Sequence, residues 1–168
     1  MALLFREQNV MQLGMRFKQY RVFLVLDSSG SLDGKPWSTV VAGVAKILDH
    51  LDEDDKISAS TFSDSVQQLM SFEPVTKANA MQLITKLANT KCNGRTALYD
   101  ALAAAVKSTL AATLLVKMLM GDKEKYVLVV LTDGENNSGS ITFDEAKKLM
   151  TNVGEKGDMV STVFIGVN

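Results

Sequence analysis

Cysteine is nearly absent from this sequence, and long apolar runs are absent altogether. Cys92 is the only cysteine among 168 residues, so no disulfide bond can form within the chain. No segment reaches the roughly 20 apolar residues that a membrane-spanning helix needs. Residues 1–20 carry charged side chains among their apolar ones and lack the uninterrupted apolar run of a signal peptide. We therefore expect neither a disulfide framework nor a membrane span in this chain.

The sequence also lacks an excess of either charge. Its 18 Lys and Arg residues nearly balance its 19 Asp and Glu residues, which gives a net charge of −1. A nucleic-acid-binding domain is usually basic, so this balance argues against a nucleic-acid partner. The densest acidic run, residues 52–55, is typical of a solvated turn before a strand. The only histidine, His50, is far in sequence from any candidate nucleophile, and we expect it at the surface.

Apolar residues, which make up 46 % of the chain, recur in an alternating strand and helix pattern. Strands are predicted at residues 22–27, 56–62, 66–72, 126–132 and 160–167, and helices at 36–51, 77–87, 96–120 and 142–154. A short turn joins the second and third strands into a hairpin, and Thr142 with Glu145 fits a helix-capping box. The second helix is expected to bury Met81, Ile84 and Leu87. The alternation predicts one α/β domain with a mostly parallel sheet between two layers of helices.

Three oxygen-bearing side chains follow the first predicted strand. Asp27 ends the apolar run, and Ser29 and Ser31 come after it in an Asp-x-Ser-x-Ser pattern. Hard divalent cations such as Mg²⁺ bind oxygen ligands and tolerate several retained waters. One carboxylate and two hydroxyls at the carboxyl end of a strand therefore form a suitable half-shell for such an ion.

Two later segments supply further oxygen atoms. Thr96 lies where a glycine-containing loop enters the long predicted helix, and Asp133 follows the fourth predicted strand. Taken singly, Ser29 and Ser31 would be turn residues, and Thr96 a helix cap, more often than metal ligands. Only the set as a whole favours a metal site over these structural roles.

This combination resembles the von Willebrand factor type A domain, also called the integrin inserted-domain family. The matching pattern is the family's metal-ion-dependent adhesion site: Asp-x-Ser-x-Ser, then a Thr in a glycine-containing turn, then an Asp closing a later strand. All five positions are present in that order, and the similarity runs from about Tyr20 to Val167. It divides the chain into an N-terminal extension, residues 1–20, and a von Willebrand factor type A-like domain, residues 21–168.

The resemblance implies a three-layer, doubly wound sheet of strand order three-two-one-four-five, with one antiparallel edge strand. Strands one and four are then neighbours at a topological switch point, where ligands of open α/β sheets bind. Asp27 and Asp133 should meet there. Family members normally continue with one more helix and strand after strand five. That last unit looks missing here, so we expect either a trimmed fold or a fragment of a longer protein.

The resemblance also implies how the site works. Ser29, Ser31 and Thr96 would supply hydroxyl ligands, and Asp27 and Asp133 would bind directly or through water. The implied ion is Mg²⁺ or Mn²⁺, with Ca²⁺ also compatible. An open position on the ion would accept an Asp or Glu side chain of a protein partner. The implied function is therefore metal-dependent protein binding, as in cell adhesion, and not catalysis.

Several neighbouring residues have more than one interpretation. Asp33 follows the serines as a second-site acid does in some integrin subunits, but its matching partners are not identifiable. Asp100, one turn beyond Thr96, either supports the site through a hydrogen bond or faces solvent. Cys92 has no identifiable base, and we expect a passive thiol. By position alone, the rim that selects a ligand is expected at Leu32, Asp33, Arg95, Glu135, Asn136 and Asn137.

Two other functions stay open at this stage. A scaffold or assembly subunit, as in intracellular relatives of the family, would bind partners through a surface that ignores the metal. A metal-dependent phosphohydrolase using Asp27 is disfavoured, because Ser29 stands where such enzymes usually have a second Asp. The partner, the parent protein and the compartment are undetermined. The lone cysteine favours an intracellular location, since extracellular members of the family often carry disulfides.

Overall fold

The structure, a computed structural model, describes residues 19–108, 124–134, 136–155 and 160–167. Most of the predicted N-terminal extension and the second half of the long predicted helix lie outside these residues. The described residues form a five-stranded sheet with helices on both of its faces, so the predicted α/β fold class is confirmed.

The sheet has the predicted strand order. Its strands are β1 (Gln19–Asp27), β2 (Lys56–Phe62), β3 (Val66–Pro74), β4 (Glu124–Thr132) and β5 (Val160–Gly166). They lie in the order β3-β2-β1-β4-β5, with β3 antiparallel to β2 and every other pair parallel. The chain leaves β1 toward β2 on one side and later returns to β4 on the other. The carboxyl ends of β1 and β4 therefore form a switch point.

Helices cover both faces of the sheet. They are α1 (Lys35–Leu48), α2 (Lys77–Ala88), α3, described over residues 98–108, and α4 (Phe143–Glu155). Helices α1 and α2 pack on one face, and α3 and α4 on the other. At the start of α4, the Thr142 N–H donates to Glu145 Oε2 at 2.8 Å, and the Glu145 N–H donates to Thr142 Oγ1 at 3.3 Å. The predicted capping box is therefore confirmed.

The central strand β1 is buried on both faces, which explains its continuous apolar run. Leu24 and Leu26 point into the core beneath α1 and α2. Phe23 and Val25 alternate with them and point into the core beneath α3. Two apolar cores therefore hold β1 in place, and its carboxyl end is a fixed position on which a site can be built.

Helix α2 buries two of its three predicted core residues, Leu87 fully and Ile84 in part, but not Met81. Leu83 and Leu87 are fully buried, but Met81 is 64 % exposed. At 3.6 residues per turn, Met81 lies about 120° around the helix from Leu87, while Leu83 is one turn before it on the same side. The indole N–H of Trp37 in α1 donates to the Leu87 carbonyl at 2.9 Å, which holds this face against α1. The placement of Met81 in the core was therefore wrong.

The acidic run at residues 52–55 is only partly solvated. Asp52, Glu53 and Asp54 are exposed, as expected, but Asp55 is buried. Its carboxylate accepts the backbone N–H groups of Tyr20 and Asp52, both at 2.8 Å. This acid therefore ties the turn before β2 to the start of β1.

A buried ion pair joins β1 to β4 at the amino end of the sheet. The Arg21 guanidinium donates through Nε and Nη2 to the Glu124 carboxylate, with 2.8 Å from Nη2 to Oε1. The Tyr126 hydroxyl donates to the same carboxylate at 3.2 Å, and the guanidinium lies 5.4 Å from the centroid of the Phe72 ring. The positive charge of Arg21 and the negative charge of Glu124 are therefore paired with each other where the two strands begin.

The Glu124→Ala variant leaves the Arg21 guanidinium without its buried carboxylate, so we expect a loss of about 3–5 kcal/mol in the free energy of unfolding. Glu73→Ala removes an exposed carboxylate from β3 and should change that free energy by less than about 0.5 kcal/mol. Urea denaturation followed through the fluorescence of the buried Trp37 measures both variants. Equal stability of the two variants would contradict a stabilising role for the ion pair.

Candidate metal centre

Asp27, the last residue of β1, is the fully buried base of the candidate site. Its Oδ1 accepts the backbone N–H of Ser29 at 2.9 Å. Its Oδ2 accepts the hydroxyl of Thr132, the last residue of β4, at 2.6 Å. The carboxylate is therefore held in one orientation by the loop that follows it and by the neighbouring strand. Thr132 was missed in the sequence because only the β1–β4 pairing brings it to Asp27.

Ser29, Ser31 and Asp133 form a chain of polar contacts above Asp27. The two serine hydroxyls lie 3.1 Å apart, and the Ser31 hydroxyl donates to Asp133 Oδ1 at 3.2 Å. A short 3₁₀ turn, Gly30–Leu32, gives the serine loop its curvature. Ser29 is buried, whereas Ser31 and Asp133 are exposed. The group therefore runs from the sheet end to the protein surface.

Thr96 lies beside the loop that carries Asp133. It is only 3 % exposed, and a Cβ atom placed on Gly134 would lie 3.6 Å from its hydroxyl oxygen. Among the described residues, none forms a hydrogen bond with that hydroxyl. The structure thus brings all five predicted residues to the carboxyl ends of β1 and β4, and leaves the Thr96 hydroxyl available to a ligand.

The turn between β2 and β3 supports the loop that carries Thr96. The Arg95 N–H donates to Asp64 Oδ1 at 3.2 Å, and the Ala97 N–H donates to the Ser63 carbonyl at 2.8 Å. Gly94 has φ +75°, and a Cβ atom there would overlap the Asp64 carboxylate. Glycine is therefore required where this loop passes the turn.

Three residues near the site, Asn136, Asn137 and Asp100, have structural roles, of which only a hydrogen bond by Asp100 was among the expectations from the sequence. Asn136 and Asn137, expected at the rim, turn their side-chain oxygens inward and accept the backbone N–H groups of Tyr99 at 3.0 Å and Thr96 at 2.8 Å. Asp100 accepts the Ser140 N–H and hydroxyl, both at 2.8 Å. These contacts fasten the loop after β4 to the start of α3, so Asp100 is a support of that loop.

The charge of the site is not balanced by protein cations in the described part of the chain. No Lys or Arg there forms an ion pair with Asp27 or Asp133. The described residues contain no cluster of three or more His, Cys, Asp and Glu side chains that could hold a metal ion, so a site here depends on hydroxyl ligands as well as on the two carboxylates. Two carboxylates with the hydroxyls of Ser29, Ser31 and Thr96 form an all-oxygen donor set. Such a set fits Mg²⁺, Mn²⁺ or Ca²⁺.

Residues 22–168 match the family model of the von Willebrand factor type A domain. The chain belongs to this family. The Synechocystis protein sll0103, itself uncharacterized, is 29 % identical over 143 residues, which cover 85 % of this chain and 31 % of that protein. This chain therefore spans about a third of the length of the curated relative that it matches.

Solved structures of the family share the fold. A manganese-loaded TRAP protein from Plasmodium vivax superposes with a TM-score of 0.68 at 20 % identity, over 90 % of this chain and 59 % of that one. A von Willebrand factor type A protein from Catenulispora acidiphila gives a TM-score of 0.66 at 16 % identity, over 90 % of this chain and 34 % of that one. At these identities, the comparisons establish the architecture alone.

None of the helices within the described ranges combines the length and the apolar character that crossing a membrane requires.

The Asp100 contacts should make the loop after β4 sensitive to acid. Burial raises the pKa of the Asp100 carboxyl, but hydrogen bonds from Ser140 and Ile141 outweigh it and hold this pKa below the ordinary value of 3.8. The ionised Asp100 carboxylate therefore stabilises the loop after β4 fully above pH 3.8, and this stabilisation is lost as the pH falls through the lowered pKa. The protection of the Ser140 amide, measured as its exchange rate relative to that of an unstructured amide at the same pH, should decrease over that range. Asp100→Asn should abolish this pH dependence and Asp144→Asn should keep it; an unchanged pH profile in Asp100→Asn would contradict the assignment.

The Cys92 thiol should react slowly, as its partly buried position near two acids implies. Burial raises its pKa, and the carboxylates of Asp33 and Asp27 raise it further, to about 11. Since the thiolate is the nucleophile, alkylation by iodoacetamide at pH 8 should be about a hundredfold slower in the folded protein than in urea. Asp33→Asn should speed the reaction, and Asp54→Asn, in the exposed turn before β2, should not. Equal rates in folded and unfolded protein would contradict the raised pKa.

Proposed function

We propose that this domain is a divalent-metal-dependent protein-binding module whose metal-ion-dependent adhesion site consists of Asp27, Ser29, Ser31, Thr96 and Asp133. The partner is a protein that presents an Asp or Glu side chain. The family supports the general part of this proposal, because von Willebrand factor type A domains often bind other proteins. The manganese in the solved TRAP relative supports the use of a divalent ion within the family.

The observation that carries the proposal is the convergence of five oxygen-bearing residues from three separate segments. Asp27 and the two serines follow β1, Thr96 precedes α3, and Asp133 follows β4. A bound Mg²⁺ or Mn²⁺ would supply an electrophilic position for a partner's carboxylate. The protein residues hold the ion and orient it, and the exposed Ser31 and Asp133 leave the site open to a second molecule.

The donor set favours binding over phosphoryl chemistry. A phosphohydrolase with a strand-end aspartate usually has a second carboxylate two residues on. Here Ser29 occupies that position, and its hydroxyl contacts Ser31. Asp27 is fully buried and already accepts two hydrogen bonds, so it is poorly placed to attack a substrate. We therefore propose no catalytic activity for this site.

Calorimetric titration of metal-stripped protein with Mn²⁺ and Mg²⁺ tests the metal site. Thr96→Val removes a ligand hydroxyl with little change in volume, and Asp133→Asn removes one ligand charge at the surface. Both should weaken metal affinity by about tenfold or more. Asp27→Ala is avoided, because it would leave the Ser29 N–H and the Thr132 hydroxyl without their acceptor.

The matched controls are Thr39→Val, an exposed threonine on α1, and Asp54→Asn, in the exposed turn at the opposite end of the sheet. Both should bind metal as the wild type does. Immobilised peptides that differ only as Glu against Gln then test partner capture, with and without a chelator. Capture of Glu peptides alone, lost with chelator and in Thr96→Val, supports the proposal. Capture that survives both changes supports the metal-independent assembly subunit instead.

A further inference from the structure

We propose that Asn137 is a positioning residue that sets the place of Thr96 in the metal site. This inference rests on the function proposed above. Asn137 is not a ligand in the adhesion-site pattern, and its position in the loop after β4 is consistent with a surface role in recognition. Its side-chain oxygen instead points to the backbone of the threonine that carries the candidate hydroxyl ligand.

Asn137 uses both of its polar ends on the same residue. Its Oδ1 accepts the Thr96 N–H at 2.8 Å, and its backbone N–H donates to the Thr96 carbonyl at 3.0 Å. Both backbone groups of Thr96 are therefore fixed by one residue from another segment. Two bonds on opposite sides of an α-carbon restrict the direction in which its side chain leaves the backbone. The clamp thereby directs the Thr96 hydroxyl, which forms no hydrogen bond with any of the described residues.

This clamp links two of the segments that contribute ligands. Asn137 is four residues after Asp133 in the same loop, and Thr96 lies just before α3. The clamp therefore sets the spacing between the Thr96 hydroxyl and the Asp133 carboxylate. Residues that orient ligands in this way commonly change metal affinity by about 10- to 100-fold when they are removed.

The surrounding contacts make the role of Asn137 separable from folding. The adjacent Asn136 side chain accepts the Tyr99 N–H at 3.0 Å, which caps the start of α3, and within the described part of the chain it forms no hydrogen bond with the five candidate ligands. Asp100 holds the far end of the same loop through Ser140. We expect the loop to keep these two attachments when Asn137 is changed. Asn136 is thus a matched control: the same residue type, one position away, with the same kind of bond to a different amide.

Amide hydrogen exchange of the metal-free protein gives the first readout. Asn137→Ala should accelerate exchange of the Thr96 amide and leave the Tyr99 amide protected. Asn136→Ala should accelerate exchange of the Tyr99 amide and leave the Thr96 amide protected. Asn137→Asp keeps an acceptor oxygen facing the Thr96 N–H, so it should restore protection of that amide. This measurement requires no metal and tests the clamp directly.

Mn²⁺ titration of the same variants gives the second readout. Asn137→Ala should lower the affinity for Mn²⁺ by about tenfold or more. Asn136→Ala and Asn137→Asp should have an affinity for Mn²⁺ no lower than that of the wild type. Wild-type affinity in Asn137→Ala would overturn the positioning role alone. Equal losses in Asn136→Ala and Asn137→Ala would also overturn it, since they would indicate a general loosening of the loop. A wild type that binds no Mn²⁺ would overturn the proposed function, and the positioning role with it.

Discussion

The parallel pairing of β1 with β4 is the constraint on which the rest of the site depends. Leu26 lies opposite Leu131 in this register, so the two strands end side by side and the Thr132 hydroxyl reaches the Asp27 carboxylate. The serine loop leaves from one strand end and the Asp133 loop from the other. A shift of one residue would turn the alternating side chains to the wrong faces of the sheet. The two apolar cores and the Arg21–Glu124 ion pair both hold this register, from the faces of the sheet and from its opposite end.

Neutral hydrogen-bonding groups, and not cations, hold the candidate ligands in place. The Ser29 N–H and the Thr132 hydroxyl orient Asp27, Asn137 orients Thr96, and Ser31 contacts Asp133. A lysine or arginine at these places would orient the carboxylates equally well, but it would neutralise the charge that attracts a metal ion. Orientation by amides and hydroxyls preserves that charge. The arrangement is therefore the one expected of a site that receives its positive charge from a ligand.

Local patterns in the sequence, together with the family resemblance that they carry, predicted the fold and the five candidate site residues, but not the contacts between distant segments. The strand β2, the capping box at Thr142 and the Asp-x-Ser-x-Ser motif each depend on residues a few positions apart. Thr132 and Asn137 gain their roles only when β4 lies beside β1 and its loop lies on α3. Asp55 was assigned to solvent for the same reason, because its partner Tyr20 is 35 residues away. Sequence spacing reveals a ligand set more readily than the residues that support it.

The apolar cores that stabilise the fold lie apart from the candidate metal site. Asp27, the one fully buried carboxylate of the set, already has two hydrogen-bond donors, and Asp133 is solvated. The apolar cores on both faces of the sheet contain none of the five candidate ligands. Small metal-dependent domains differ, because in them metal binding and folding are a single equilibrium. Here the two apolar cores hold the sheet and its helices together, so a cation bound at the strand ends would add to a scaffold that these cores already organise. Its free energy of binding would then be available to change the affinity for a partner, since little of it would be consumed in ordering the protein.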